Sequence, residues 1–115
     1  MDEQLCTEHW LGRVAVVAAS GDLDMLTAPQ LRDAVQSALS KTPAGLIVDL
    51  TQVNFLGSAG MQVLMEAHNQ TDGTETRFGV VADGPATSRP LKITGITDLI
   101  DLYSTLDVAL ENFGA

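Results

Sequence analysis

The chain has 115 residues, 45% of them hydrophobic, and a formal net charge of −9. That length is one domain with one core, and the composition is not that of a disordered chain. The negative field repels phosphate backbones and anionic membranes, and the six basic residues (Arg13, Arg32, Lys41, Arg77, Arg89 and Lys92) form no cluster in sequence, so neither nucleic acid nor membrane is expected as a partner.

Residues from Gln4 to Leu11 mix polar and apolar side chains, as a half-exposed edge strand does. Gly12-Arg13 marks a turn, and Val14 to Ala19 is a second, more apolar strand, so the two should pair as an antiparallel hairpin. Ser20 to Leu26 reads as a loop, after which Thr27 is placed to cap a helix with Pro29 in its first turn. Leu31, Ala34, Val35, Ala38 and Leu39 then recur at i, i+3, i+4, i+7 and i+8, one face of an amphipathic helix. Lys41-Thr42-Pro43-Ala44-Gly45 ends it and leads into a buried-strand pattern, Leu46 to Leu50.

Thr51 to Gly60 reads as a loop, and a second helix is expected from Ala59 to Asn69 with Met61, Leu64 and Met65 on one face. Arg77 to Ala82 is a strand broken by Asp83-Gly84-Pro85. Pro90 is tolerated only near a helix start, which places a short helix from Ser88, and Gly95 stops it. Leu99 to Tyr103 is a last short strand, and Thr105 opens a helix carrying Leu106, Ala109, Leu110 and Phe113. The order β-β-α-β-α-β-α-β-α predicts a single α/β domain over residues 1–115: a mixed, mostly parallel sheet of about five strands with about four helices and right-handed crossovers.

Ligands and partners of such sheets meet the loops after the carboxyl ends of the strands. Ser20, Asp22, Asp24, Thr27 and Ser58 fall in two of these loops. Ser58 precedes a helix, where its hydroxyl has two uses: capping the unpaired backbone N–H groups, or receiving a phosphate beside them.

Enzymatic readings fare poorly. Leu56-Gly57-Ser58-Ala59-Gly60 lacks the first glycine of a nucleophile elbow. At ~1.5 Å per residue, His68 stands about 15 Å along the expected helix from Ser58, and His9 lies on the edge strand. Cys6 is alone and reads as a small apolar strand residue. No zinc spacing, calcium loop or phosphate-binding loop is present, so no metal or cofactor is expected. Met1-Asp2-Glu3-Gln4 has neither the basic nor the apolar region of a signal peptide, and no apolar run approaches the ~20 residues of a membrane span, so a cytoplasmic protein is expected.

The segment Leu46-Ile47-Val48-Asp49-Leu50 through Phe55-Leu56-Gly57-Ser58-Ala59-Gly60-Met61 resembles the signature of the STAS domain, the fold of bacterial anti-sigma-factor antagonists. That pattern is an apolar strand ending in Asp-Leu or Asn-Leu, a short loop, then Phe-x-Asp-Ser followed by Ser, Thr or Ala and Gly-Leu. Gly21-Asp22-Leu23-Asp24 with Thr27-Ala28 is similar to a second family loop. Thr94-Gly95-Ile96, Leu102-Tyr103 and the Leu106-Asp107-x-Ala109-Leu110 ending complete the likeness across nearly the whole chain.

The resemblance implies a non-catalytic partner switch. Such a protein binds an anti-sigma factor that is often also a serine kinase, and the sigma factor is freed. The kinase then phosphorylates the antagonist on the serine matching Ser58, and a phosphatase restores it. It implies contacts from Asp22, Asp24, Thr27, Leu56, Gly57, Ser58, Ala59 and Met61. Gly57 stands where the family has Asp and Ala59 where it often has a second Ser or Thr, which bears on kinase recognition. A scaffold that binds without phosphate control, and a small-nucleotide sensor using the Asp22 and Ser58 loops, are the alternatives.

Overall fold

Five strands form one sheet in the simple order β1-β2-β3-β4-β5. The computed structural model describes residues 5–115, so the expected strand start at Gln4 and the N-terminal Met1-Asp2-Glu3-Gln4 lie outside the described residues. β1 (Cys6–Leu11) and β2 (Val14–Leu23) form the expected antiparallel hairpin, turning on Gly12 at φ +60. The other pairings are parallel: β2 with β3 (Gly45–Leu56), β3 with β4 (Arg77–Val81), and β4 with β5 (Asp101–Tyr103). Helices α1 (Ala28–Leu39), α2 (Ser58–Thr71), α3 (Ser88–Ile93) and α4 (Leu106–Asn112) alternate with the strands as the periodicity predicts.

Period-2 alternation in β2 divides the core between two faces. Ala15, Val17 and Ala19 join Leu46, Val48 and Val80 under α1, α2 and α3, with Leu31, Val35, Val63, Leu64 and Leu91 supplied by the helices. Val14, Val16, Ile47 and Val81 face the other way, toward Ala109, Leu106 and Leu110 of α4 and Phe113 just past its end. Full burial of each Leu or Val on the α1 face contributes about 1.5–3 kcal/mol. Half-buried Cys6 packs against the larger cluster, and burial pushes its thiol up to about 11. Among the described residues, no helix is long and apolar enough to cross a membrane.

Several boundaries differ from expectation: α2 starts at Ser58 and ends at Thr71 rather than running from Ala59 to Asn69, and β4 stops at Val81 rather than Ala82. β2 and β3 run on together to the pair Leu23↔Leu56, so Ser20 to Leu23 and Thr51 to Leu56 are strand rather than loop. Two register shifts, between Ala18 and Ser20 and between Gly21 and Asp22, each give β3 one residue more than β2. Gly21, at φ +78, stands on β2 opposite the second of them. β4 pairs with β3 only as far as Asp49↔Val81, so the end of the β2–β3 pair projects beyond β4. At the other edge, β5 begins at Asp101 rather than Leu99. A 3-10 turn, Ile96–Asp98, folds back so that Leu99 N–H and Ile100 N–H both donate to the Ile96 carbonyl.

Candidate functional site

The projecting ends of β2 and β3 carry the two loops on which the site residues were expected, and one hydrogen bond stitches them together. Gly57 N–H donates to the Leu23 carbonyl at 2.9 Å, placing the first turn of α2 beside the β2–α1 turn. Asp22, Asp24 and Thr27 therefore share one end of the domain with Gly57, Ser58 and Ala59.

Ser58 is exposed and is the first residue of α2. The cap position belongs to Gly57, in ordinary extended backbone at φ −87, ψ 177, and makes no side-chain cap bond. The capping use of Ser58 is thus corrected: one residue inside the helix, its Oγ makes no hydrogen bond among the described residues. The first intrahelical bond is Met61 N–H to the Gly57 carbonyl, which leaves the N–H groups of Ser58, Ala59 and Gly60 without an intrahelical acceptor. Gly60 allows this turn to sit close on the sheet: a Cβ there would come 2.8 Å from Leu56 Cδ1 and 3.0 Å from Leu23 Cβ.

Thr27 does not cap α1 with its side chain either. Its Oγ1 donates to the Asp22 carbonyl at 2.6 Å and accepts from Asp24 N–H at 2.9 Å. Asp24 Oδ1 accepts from Leu26 N–H at 2.9 Å and from Thr27 N–H at 3.1 Å. Those backbone donors, Leu26 first and then Thr27, hold the Asp24 carboxyl below the usual carboxylate range. The turn so closed leaves Met25 and Leu26 standing in solvent, 82% and 86% exposed.

The expected contact residues separate into three groups. Asp22 and Ser58 are exposed, with Asp24, Thr27, Gly57 and Ala59 half-buried at the surface. Met61 packs partly against the core, its Sδ 3.8 Å from the Thr94 hydroxyl of the segment after α3. Leu56 is only 4% exposed, and its side chain belongs to the core, because β3 is still strand there. The apolar side chain presented to solvent is its neighbour Phe55, 52% exposed. Ile93 of α3 is 77% exposed. Met25, Leu26, Phe55 and Ile93 were missed by sequence reasoning. Only the first two left a signal, a consecutive apolar pair between the turn residues Asp24 and Thr27.

Exposed apolar side chains at the same end of the domain as an unbonded hydroxyl at a helix start suit binding to another protein. The imidazoles stay apart from it, His68 in the last turn of α2 and His9 on β1, so no base is presented to Ser58 from either. Among the described residues, no three His, Cys, Asp or Glu side chains gather as a metal site.

Comparison with known proteins agrees with this geometry. The STAS domain family matches residues 10–109. The anti-sigma-F factor antagonist RsfB of Mycobacterium tuberculosis is 39% identical over 97 residues, 84% of this chain and 79% of that one. The anti-sigma-B factor antagonist of Listeria monocytogenes is 26% identical over 86 residues, 75% of each chain. The crystal structure of an anti-sigma factor antagonist from Mycobacterium paratuberculosis superposes with TM-score 0.89 at 42% identity, covering 96% of this chain and 93% of that one. With the motif around Ser58 standing at the projecting end of a β2–β3 pair, and with relatives matched over most of their length, the chain belongs to the STAS domain family.

Proposed function

We propose that this protein is an anti-sigma-factor antagonist: its Ser58 face docks an anti-sigma factor, and the sigma factor held by that anti-sigma factor is released. The observation that carries this reading is the exposed Ser58 hydroxyl, unbonded within the described residues, at the end of the domain that also presents the exposed apolar side chains Met25, Leu26 and Phe55. The names of the matched relatives support the same class of activity. The protein acts by binding, in the cytoplasm, and catalyses nothing itself.

The anti-sigma factor is, in this reading, also a serine kinase. Ser58 Oγ attacks the γ-phosphorus of ATP, the bond to ADP breaks, and the hydroxyl proton leaves. The product carries about −1.5 to −2 charges and three acceptor oxygens. The free N–H groups at the start of α2 and its dipole tolerate that group, so the domain itself stays folded. The cost falls on the docked partner, which would have to bury a dianion against an apolar surface. A phosphatase removes the group and restores binding. Asp22, Asp24, Thr27, Gly57, Ala59 and Met61 surround the contact.

Incubation with the cognate kinase and ATP, followed by mass spectrometry, should place one phosphate on Ser58 and none on Ser58→Ala. Ser58→Ala should keep its affinity for the anti-sigma factor, and Ser58→Glu should lose about 10-fold or more. Equal binding by Ser58→Glu and wild type would refute the switch. A second reading, binding without phosphate control, is favoured by Gly57 and Ala59 in place of the family's usual neighbours. An unmodified Ser58 with intact binding would select it.

A further inference from the structure

Of the six cations in the chain, four have partners within it. Arg32 pairs with Glu66 at 2.8 Å, and Lys41 with Glu8 at 2.6 Å. Arg77 donates to the Asn112 carbonyl and lies over the Phe113 ring at 4.4 Å, and Arg13 donates to the Thr42 carbonyl at 3.2 Å. Arg89 and Lys92 make no ion pair or side-chain hydrogen bond among the described residues. Both are exposed, and both project from α3.

Arg89 stands between two adjoining depressions. One, about 290 Å³, is apolar, formed by Phe55 and Leu56 at the end of β3 and by Pro85, Ala86, Pro90 and Ile93. The other, about 490 Å³, continues past Ser88 and Lys92 and shares Pro85, Arg89 and Ile93 with the first. Lys92 also borders a third hollow with Asp83 and Asp101, neither of them paired with it, so Arg89 carries the less compensated charge.

The groove adjoins the start of α2 through Phe55, which lines it, and Thr94 follows Ile93 at the end of α3. A Cβ on Gly57 would come 3.0 Å from the Phe55 ring, and the Thr94 hydroxyl lies 3.8 Å from Met61 Sδ in the first turn of α2. The carboxylates Asp22, at the end of β2, and Asp24, on the β2–α1 turn, stand on the β2 side of β3, and α3 follows β4 on its other side. The end of the molecule therefore has an acidic side and a basic side, with Ser58 between them.

We infer that the groove between Phe55 and α3 is a second docking element for the anti-sigma factor, receiving an acidic segment of it whose apolar side chain enters beside Phe55 and Ile93 while its carboxylate meets Arg89. The inference rests on the proposed function. A chain of net charge −9 repels an acidic segment everywhere except where uncompensated cations gather, so this groove selects one orientation of the partner. The apolar walls provide affinity and the charge pair provides register.

The test is isothermal titration of the full chain with the cognate anti-sigma factor at 50 and 300 mM NaCl, using wild type, Arg89→Glu, Ile93→Ala and Arg13→Glu. The two charge reversals alter net charge equally, but Arg13 lies by the β1–β2 turn. Thermal melts establish that each variant is folded. Arg89→Glu should weaken binding about 10-fold at low salt and less at high salt. Ile93→Ala should weaken it at both, and Arg13→Glu should stay within about 2-fold of wild type. If wild type binds and Arg89→Glu binds equally well, the groove is not used, while the Ser58 reading stands. If Arg89→Glu and Arg13→Glu weaken binding alike, net charge alone acts and the groove falls. If wild type does not bind, the proposed function fails and the groove with it.

Discussion

Gly57 and Ser58 divide the work that a single polar residue often does at a helix start. Ser58 is one position too late to cap, so Ser58→Ala should change stability by less than about 0.5 kcal/mol in urea or thermal unfolding. A loss near ~1 kcal/mol would mean that the hydroxyl caps in solution after all. Gly57 occupies the cap position in backbone that any residue adopts, so its effect is steric. Its missing Cβ lets the Phe55 ring and the Leu23 carbonyl approach, at 3.0 and 3.3 Å from where that atom would lie. Gly57→Ala adds the Cβ alone and forces the exposed ring aside. Gly57→Asp adds the same Cβ with a carboxylate able to accept from the free N–H of Gly60, and a negative charge is favoured at this end of the dipole. Gly57→Asp should therefore be more stable than Gly57→Ala by about 1 kcal/mol in thermal melts. The reverse ranking would show that the ring, not the helix start, governs this position.

At the scale of the element, α4 shows how a seven-residue helix is held. Phe113, just past its end, lies across two glycines of the sheet: a Cβ on Gly45 would meet the ring at 2.5 Å, and one on Gly79 would meet it at 3.1 Å. Tyr103 packs edge-on to the ring at 6.1 Å, and Arg77 covers it while donating to the Asn112 carbonyl at the helix end. Gly79→Ala also brings its Cβ within 2.9 Å of Tyr103, and should cost about 1–3 kcal/mol despite the lower strand entropy of alanine. Combining it with Phe113→Leu should return part of that loss, because the two sites share one space. Strict additivity in the double-mutant cycle would mean that the ring does not rest on the glycines. The helices and the order of elements along the chain were legible in the sequence wherever apolar residues kept one period, as in α1 with Leu31, Val35 and Ala38. The outer ends of β2 and β3 were not. The register shifts in the pairing leave Leu50, Val53 and Leu56 buried at every third residue, which matches neither the period of a strand nor that of a helix. The position of Ser58 was legible because its motif is local. The exposure of Phe55 and Ile93 depends on how β3 and α3 meet, which no short stretch of sequence records.

At the scale of the whole molecule, two ion pairs join separate parts of the fold among the described residues. Glu66 of α2 accepts from Arg32 of α1 at 2.8 Å, beside the amide pair Gln36–Gln70 that links the same two helices. Glu8 of β1 accepts from Lys41 after α1 and from Trp10. Arg32 holds the Glu66 carboxyl below its ordinary 4.5, as Lys41 and then Trp10 hold that of Glu8. Asp24 is held below its ordinary 3.8 by the N–H groups of Leu26 and Thr27. A carboxyl whose pKa is lower folded than unfolded adds stability above its unfolded value, and that stability disappears as pH falls through the folded value. The contributions of Glu8 and Glu66 should thus be complete above about pH 4.5 and decline below it, with that of Asp24 following from about 3.8. Glu66→Gln isolates one of them. The variant should melt slightly below wild type at pH 7, since an exposed pair is worth little. The gap should close as pH falls below 4.5 and through the lowered folded value, where wild-type Glu66 takes up its proton and no longer pairs with Arg32. Raising salt to 1 M at pH 7 should close the same gap by screening. A difference that persists through acid and salt alike would show that the Arg32–Glu66 charge pair is not its source, since glutamine keeps the same side-chain stem.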